Sequence, residues 1–128
     1  DSIAISSVGD PRHYQILGGD PLGPGKTENI AVTNCILQSR SAALRVGYTG
    51  GDLKNCTFSN IIIWQSNRGI LVNVRDEASV ENLLFSNITI QTRLHTGHWW
   101  GHAEPIQVSA LANDSAIKKL GQIKNVRL

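Results

Sequence analysis

Between Thr92 and Pro105 the sequence reads TRLHTGHWWGHAEP, gathering His95, His98, His102, Trp99, Trp100 and Glu104 into one short stretch. Three histidines spaced by three and four residues would face one way on a helix and could hold a metal ion there. Gly97 and Gly101 argue for a loop instead, and no cysteine or further carboxylate pattern completes a ligand set. No metal site is therefore expected, and the histidines are assigned to hydrogen bonding, with protonation near neutral pH within reach. Two adjacent tryptophans beside His98 and Glu104 offer flat apolar faces next to polar tips, the combination that stacks on a sugar ring and bonds its hydroxyls. In an extended loop Trp99 and Trp100 face opposite ways, one toward the body of the protein and one toward a ligand.

A loop of this kind needs a frame, and the sequence supplies one by repetition. ENIAVTNCIL at 28–37, KNCTFSNIII at 54–63 and ENLLFSNITI at 81–90 superpose without gaps, and KNVRL at 124–128 begins the phrase again. Self-similarity at such a period points to a repeat architecture. After each leading asparagine (Asn29, Asn55, Asn82, Asn125) apolar residues alternate, as in Ile30 and Val32, Cys56 and Phe58, or Leu83 and Phe85. That is the period of a strand with one buried face. A second asparagine follows in each full copy, Asn34, Asn60 and Asn87, where the chain must bend. DSIAIS, AALRVG, RGILVN and EPIQVS supply a further strand per unit. Three short strands per turn, with asparagines stacked at a bend, describe a parallel β-helix of about four coils. An antiparallel sandwich is the competing arrangement, but it does not require one phrase in one register three times. Cys35 and Cys56 then point inward in different columns, as free thiols.

Stacking the further strands places Asp1, Ala42, Arg68 and Glu104 in one column, Ala4, Arg45, Leu71 and Gln107 in the next, and Ser6, Gly47, Asn73 and Ser109 in a third, at about 4.8 Å per layer. Arg45, Arg68, Asn73 and Glu104 thus cluster on one outer face beside the tryptophan loop and are assigned to ligand binding. Glu104 serves either as a carboxylate at the end of the groove or as the ion-pair partner of Arg68. Arg75, Asp76 and Glu77 border the same face as a solvated turn. Insertions at 7–27, 91–103 and 110–122 interrupt the regular pattern of a single unit spanning 1–128.

Composition narrows the rest. With 128 residues and a net charge of +2, the chain holds one domain and lacks the basic stripe of a nucleic-acid binder. No apolar run of about 18 residues suggests a membrane span. No nucleic-acid or membrane partner is expected. Starting within one coil and stopping at KNVRL within another, the chain reads as a segment truncated at both ends, with open edges that invite self-association.

These residues resemble the polygalacturonases and their relatives, the right-handed β-helix glycoside hydrolases of family 28 with a pectin-lyase-like solenoid. DSIAIS looks like the family segment in which two adjacent aspartates precede an isoleucine-alanine-isoleucine strand, SAALRVG like the strand that follows, and RGILVNV like the one after it. The resemblance implies that Asp1 is catalytic, standing for the second aspartate, and that pectin-type glycosidic bonds are hydrolysed in a cleft along the further strands. It also implies an extracellular or periplasmic setting and no cofactor. The family's histidine, however, falls on Ala42, its arginine on Leu71 and its lysine on Asn73. Inverting hydrolysis needs two carboxyl groups about 6.5–9.5 Å apart. Asp1 and Glu104, three layers apart at about 14 Å, do not make such a pair. A neutral or differently charged sugar is one expectation from these losses. A carbohydrate-binding or structural β-helix without turnover, as in adhesins or tail-spike-like proteins, is the alternative.

Overall fold

A computed structural model of the chain describes residues 1–7, 25–48, 50–112 and 115–128. The insertion at 7–27 lies almost wholly outside these residues, as do positions 113 and 114 of the 110–122 insertion. The described chain is all-β. Its strands are β1 (Ile3–Ile5), β2 (Thr27–Leu37), β3 (Ala42–Tyr48), β4 (Leu53–Ser66), β5 (Arg68–Val74), β6 (Ser79–Thr92), β7 (Ile106–Ala110) and β8 (Gln122–Arg127). They form two four-stranded parallel sheets, ordered β1-β3-β5-β7 and β2-β4-β6-β8, so successive strands alternate between the sheets.

The register follows the repeat. Ile30, Cys56, Leu83 and Val126 pair in one column, and Val32, Phe58 and Phe85 in another. In the other sheet Ile3, Leu44, Ile70 and Ile106 align, as do Ile5, Val46, Val72 and Val108. Inner layers of these columns are fully covered while outer layers are not: Leu44 and Ile70 are 0% and 1% exposed, Ile106 42%. Each apolar residue is buried by the layers on either side, so the layers with one neighbour remain partly open. The Phe58 and Phe85 rings stack at 4.7 Å within the core. Cys35 stands beside Ile61 and Cys56 beside Ile30, and both thiols are free. Burial pushes the Cys56 thiol pKa up, against a weaker opposing backbone hydrogen bond at Ile30.

The two strands expected within each repeat are one continuous strand. Asn29, Asn34, Asn55, Asn60, Asn82, Asn87 and Asn125 all have φ between 51° and 62°. Asparagine tolerates this left-handed conformation better than other residues with a Cβ. The bend is thus made at single residues and pairing resumes at once on either side, which gives two sheets where three short strands per unit were expected. The asparagine amides also bond one another across layers. Asn55 Nδ2 donates to Asn29 Oδ1, Asn82 Nδ2 to Asn55 Oδ1 and Asn125 Nδ2 to Asn82 Oδ1, at 3.0–3.2 Å. A second ladder runs from Asn87 to Asn60 to Asn34. On the outer surface Glu28, Lys54, Glu81 and Lys124 alternate in sign along one column, with Lys54 and Glu28 3.3 Å apart.

Candidate functional site

Outside the sheet of β1, β3, β5 and β7, side chains that face away from the core line a cleft of about 400 Å³. Asp1, Arg45, Arg68, Asn73, Trp99 and Trp100, all singled out from the sequence, share it. Parallel pairing of Ala42 with Arg68, Arg45 with Leu71 and Gly47 with Asn73 brings them together across layers. His98 and Glu104 are not among the lining residues.

Asp1 and Arg45 form the tightest contact. Arg45 Nε donates to Asp1 Oδ2 at 2.5 Å, the Ala42 N–H donates to Asp1 Oδ1, and Arg45 Nη1 donates to Ser6 Oγ and the Gly47 carbonyl. Arg68 Nη1 donates to Gln107 Oε1 at 3.2 Å. Burial lowers the pKa of both arginines; at Arg68 the Glu104 charge opposes this and the Arg45 charge adds to it. Three arginines and one carboxylate therefore line the cleft, and among the described residues no carboxylate lies within ion-pair distance of Arg68 or Arg75. Such a site favours an anionic group on its ligand. Among the described residues it presents one carboxyl group, where an inverting glycosidase needs two.

The tryptophan loop is fastened to the sheet by Asn67, which is fully buried. Its Nδ2 donates to the carbonyls of Trp100 and Gly101, and its Oδ1 accepts from the Ala103 N–H. Thr92 Oγ1 donates to the Ala103 carbonyl, and His95 Nε2 lies 2.9 Å from the Gln65 carbonyl. Glu104 braces the loop from below: it accepts the His102 N–H at 2.6 Å and sits 3.5 Å from the His102 ring. Its close contacts are thus with His102, and the charge of Arg68 acts on it from further away. Gly101, at φ 111°, lies so close to Arg68 that a Cβ there would come within 2.7 Å of that side chain.

Both tryptophans border the cleft, in contrast to the opposite facing expected of an extended loop. Gly97, Gly101 and Ala103 all have positive φ, so the segment curls and the alternation of an extended chain does not apply. Trp99 lies under the Arg40 guanidinium at 5.5 Å from its ring centroid and is 41% exposed, whereas Trp100 is 71% exposed. Among the described residues no group of three or more His, Cys, Asp or Glu is placed to hold a metal ion.

Ser41, Tyr48, Leu71 and Arg75 complete the lining. The sequence carried a signal for Arg75, because the outward alternation of Leu71 and Asn73 reaches it one step past the end of β5. Tyr48 had none. It pairs with the buried Val74, and strict alternation would send it inward. Gly47 at φ 86° and Tyr48 at φ 131° break that alternation and turn the ring out. Both Arg45 and Arg75 lie on this ring, at 5.2 and 5.6 Å from its centroid.

Comparison of the chain with protein-family models, with curated proteins and with solved structures finds no match.

Proposed function

We propose that the chain is a segment of a right-handed parallel β-helix of polygalacturonase type, holding a pectin-type acidic polysaccharide in the cleft along β1, β3, β5 and β7. The β-helix reading rests on strands that alternate between two parallel sheets, on columns of matching residues in successive layers, and on the asparagine ladders at the bends. The observation that carries the ligand reading is the cleft itself. Trp99 and Trp100 offer apolar faces to sugar rings, and three arginines against a single aspartate offer charge to uronate carboxylates. Positive lining argues for an acidic glycan over the neutral sugar that the loss of the family's arginine and lysine suggested. Such a ligand fits an extracellular or periplasmic setting.

Hydrolysis is a second reading, favoured by the place of Asp1 in the cleft beside Arg45. It requires another carboxyl group about 6.5–9.5 Å from Asp1. With one carboxylate lining the cleft among the described residues, the chain by itself is expected to bind without turnover.

The test is to run the chain through gels containing polygalacturonate, rhamnogalacturonan or neutral galactan, and to assay the same mixtures for new reducing ends. Retardation by the acidic polymers without product supports a binding cleft, and product identifies a hydrolase. Free migration through all of them would remove the glycan reading altogether.

A further inference from the structure

Three buried side-chain atoms have no hydrogen-bond partner among the described residues: Arg68 Nε, Asn73 Oδ1 and Arg75 Nε. All three residues line the same cleft. Buried polar groups are nearly always paired, so three unpaired ones on residues that line one cleft single out that wall as short of partners. Their chemistry is complementary in kind. The two Nε atoms need acceptors, and the Asn73 oxygen, on a residue only 7% exposed, needs a donor.

The three cleft arginines are not equivalent. Arg45 is spent on Asp1, Ser6 and the Gly47 carbonyl, and its charge is balanced. Arg68 is partly engaged by Gln107 and covered by Gly101. Arg75 has neither a carboxylate partner nor a side-chain hydrogen bond among the described residues, and its guanidinium rests on the Tyr48 ring. A guanidinium held on an aromatic face keeps its donor edge free to meet a planar anion. Tyr48 does this from a backbone conformation that is an outlier for an aromatic residue, a strain of the sort that collects at functional sites.

We propose that Arg75 is the specificity-determining residue of the cleft: it reads an anionic substituent of the glycan while Asn73 Oδ1 accepts a hydrogen bond from a neighbouring hydroxyl, and Tyr48 is the positioning residue that presents its guanidinium. The assignment rests on the glycan-binding reading above. None of these three roles follows from the family resemblance, which would put an arginine at Leu71 and a lysine at Asn73.

The test is calorimetric titration of the chain with oligogalacturonate, with the same oligomer after reduction of its carboxylates to neutral galactose, and with a sulfated galactan oligomer. The quantity read is the affinity ratio of acidic to reduced oligomer. In the unmodified chain it is expected to be on the order of tenfold and to shrink as salt is raised. Arg75→Gln brings the ratio close to one, Tyr48→Phe keeps it because the ring remains, and Tyr48→Leu lowers it. Binding of the sulfated oligomer with equal preference assigns charge as the feature read, and binding of the carboxylated one alone assigns the planar carboxylate; either supports the proposal. A ratio that survives Arg75→Gln overturns it, as does an unmodified chain that binds acidic and reduced oligomers alike. Should Arg75→Gln not fold by circular dichroism, Tyr48→Leu and the salt series decide, and a preference insensitive to salt overturns the proposal. Failure of every oligomer to bind is a different result, since it removes the glycan cleft itself.

Discussion

At the scale of single residues, Trp100 and Glu104 have separable roles. Trp100 is 71% exposed and packs on little, so Trp100→Ala is expected to leave the urea midpoint unchanged. If the ring stacks on sugar, the same change weakens oligogalacturonate binding by about 2- to 12-fold, from a stacking contribution of about 0.5–1.5 kcal/mol. Titration of the two proteins side by side checks this. For Glu104, burial alone would raise the pKa. Hydrogen bonds from the His102 N–H and from its own backbone, together with the charges of Arg68 and His102, outweigh burial and hold it below the ordinary 4.5. A carboxylate whose pKa is depressed by folding stabilises the fold fully above its unfolded value and loses that contribution as pH falls through the folded one. The stability difference between wild type and Glu104→Gln, from urea melts at several pH values, is thus expected to shrink as pH falls below about 4.5. Alternation along the chain was enough to find Arg45, Arg68 and Asn73. It could not find Tyr48, whose outward direction comes from two successive positive φ values that no residue type at 48 announces.

Among the elements, β2, β4 and β6 depend on asparagines that both bend the chain and tie one layer to the next. Asn55 accepts from Asn82 and donates to Asn29, in a left-handed conformation. Asn55→Ala loses two exposed hydrogen bonds and, with them, the polar side chain that lets asparagine occupy the left-handed region more readily than alanine, so a loss of about 1–2 kcal/mol is expected. Asn55→Gly loses the bonds and keeps the conformation, and should fall by less. Chemical denaturation of the pair separates the two effects: equal losses would mean that the bend itself contributes nothing. Asn87 heads an Asn-Ile-Thr glycosylation sequon, and because its Nδ2 donates to Asn60 at 2.8 Å a glycan there would compete with the stack. The tryptophan loop depends likewise on one anchor. Asn67→Ala removes three hydrogen bonds from a fully buried position, leaving the carbonyls of Trp100 and Gly101 without that donor. It is expected to cost about 1–3 kcal/mol and to lower glycan affinity together with stability. Asn67 lies outside the repeated phrase that marks the bend asparagines, so the repeat carries no signal for its role, and its partners lie 33 and more residues along the chain.

At the scale of the whole described chain, the inner strands of the two parallel sheets are covered on both sides and the outer ones are not. Among the described residues β7 and β8 are hydrogen-bonded on one side only, and Ile106, Val108, Leu111 and Leu128 are 42–67% exposed there. Unpaired edges with apolar side chains favour strand-to-strand association. Sedimentation at increasing concentration is expected to give a rising weight-average mass, and Val108→Lys should suppress the rise. A single sharp monomer boundary at high concentration would contradict this.

The sequence by itself determined the layers. Apolar alternation, a repeated phrase without gaps and asparagines at matching positions specify which residues are covered and which stand one above another, because strand periodicity and parallel register are local properties repeated at a fixed interval. Hence Ile70 could be placed beneath Ile106, and Arg45 beside Leu71, from letters alone. The tertiary structure alone decided what faces the cleft from outside that pattern. It curled the tryptophan loop so that both rings meet one opening, bound Glu104 to His102 instead of Arg68, and turned Tyr48 outward beneath Arg75. Each of these depends on positive-φ backbone or on contacts between residues far apart in the chain, and neither leaves a period in the sequence.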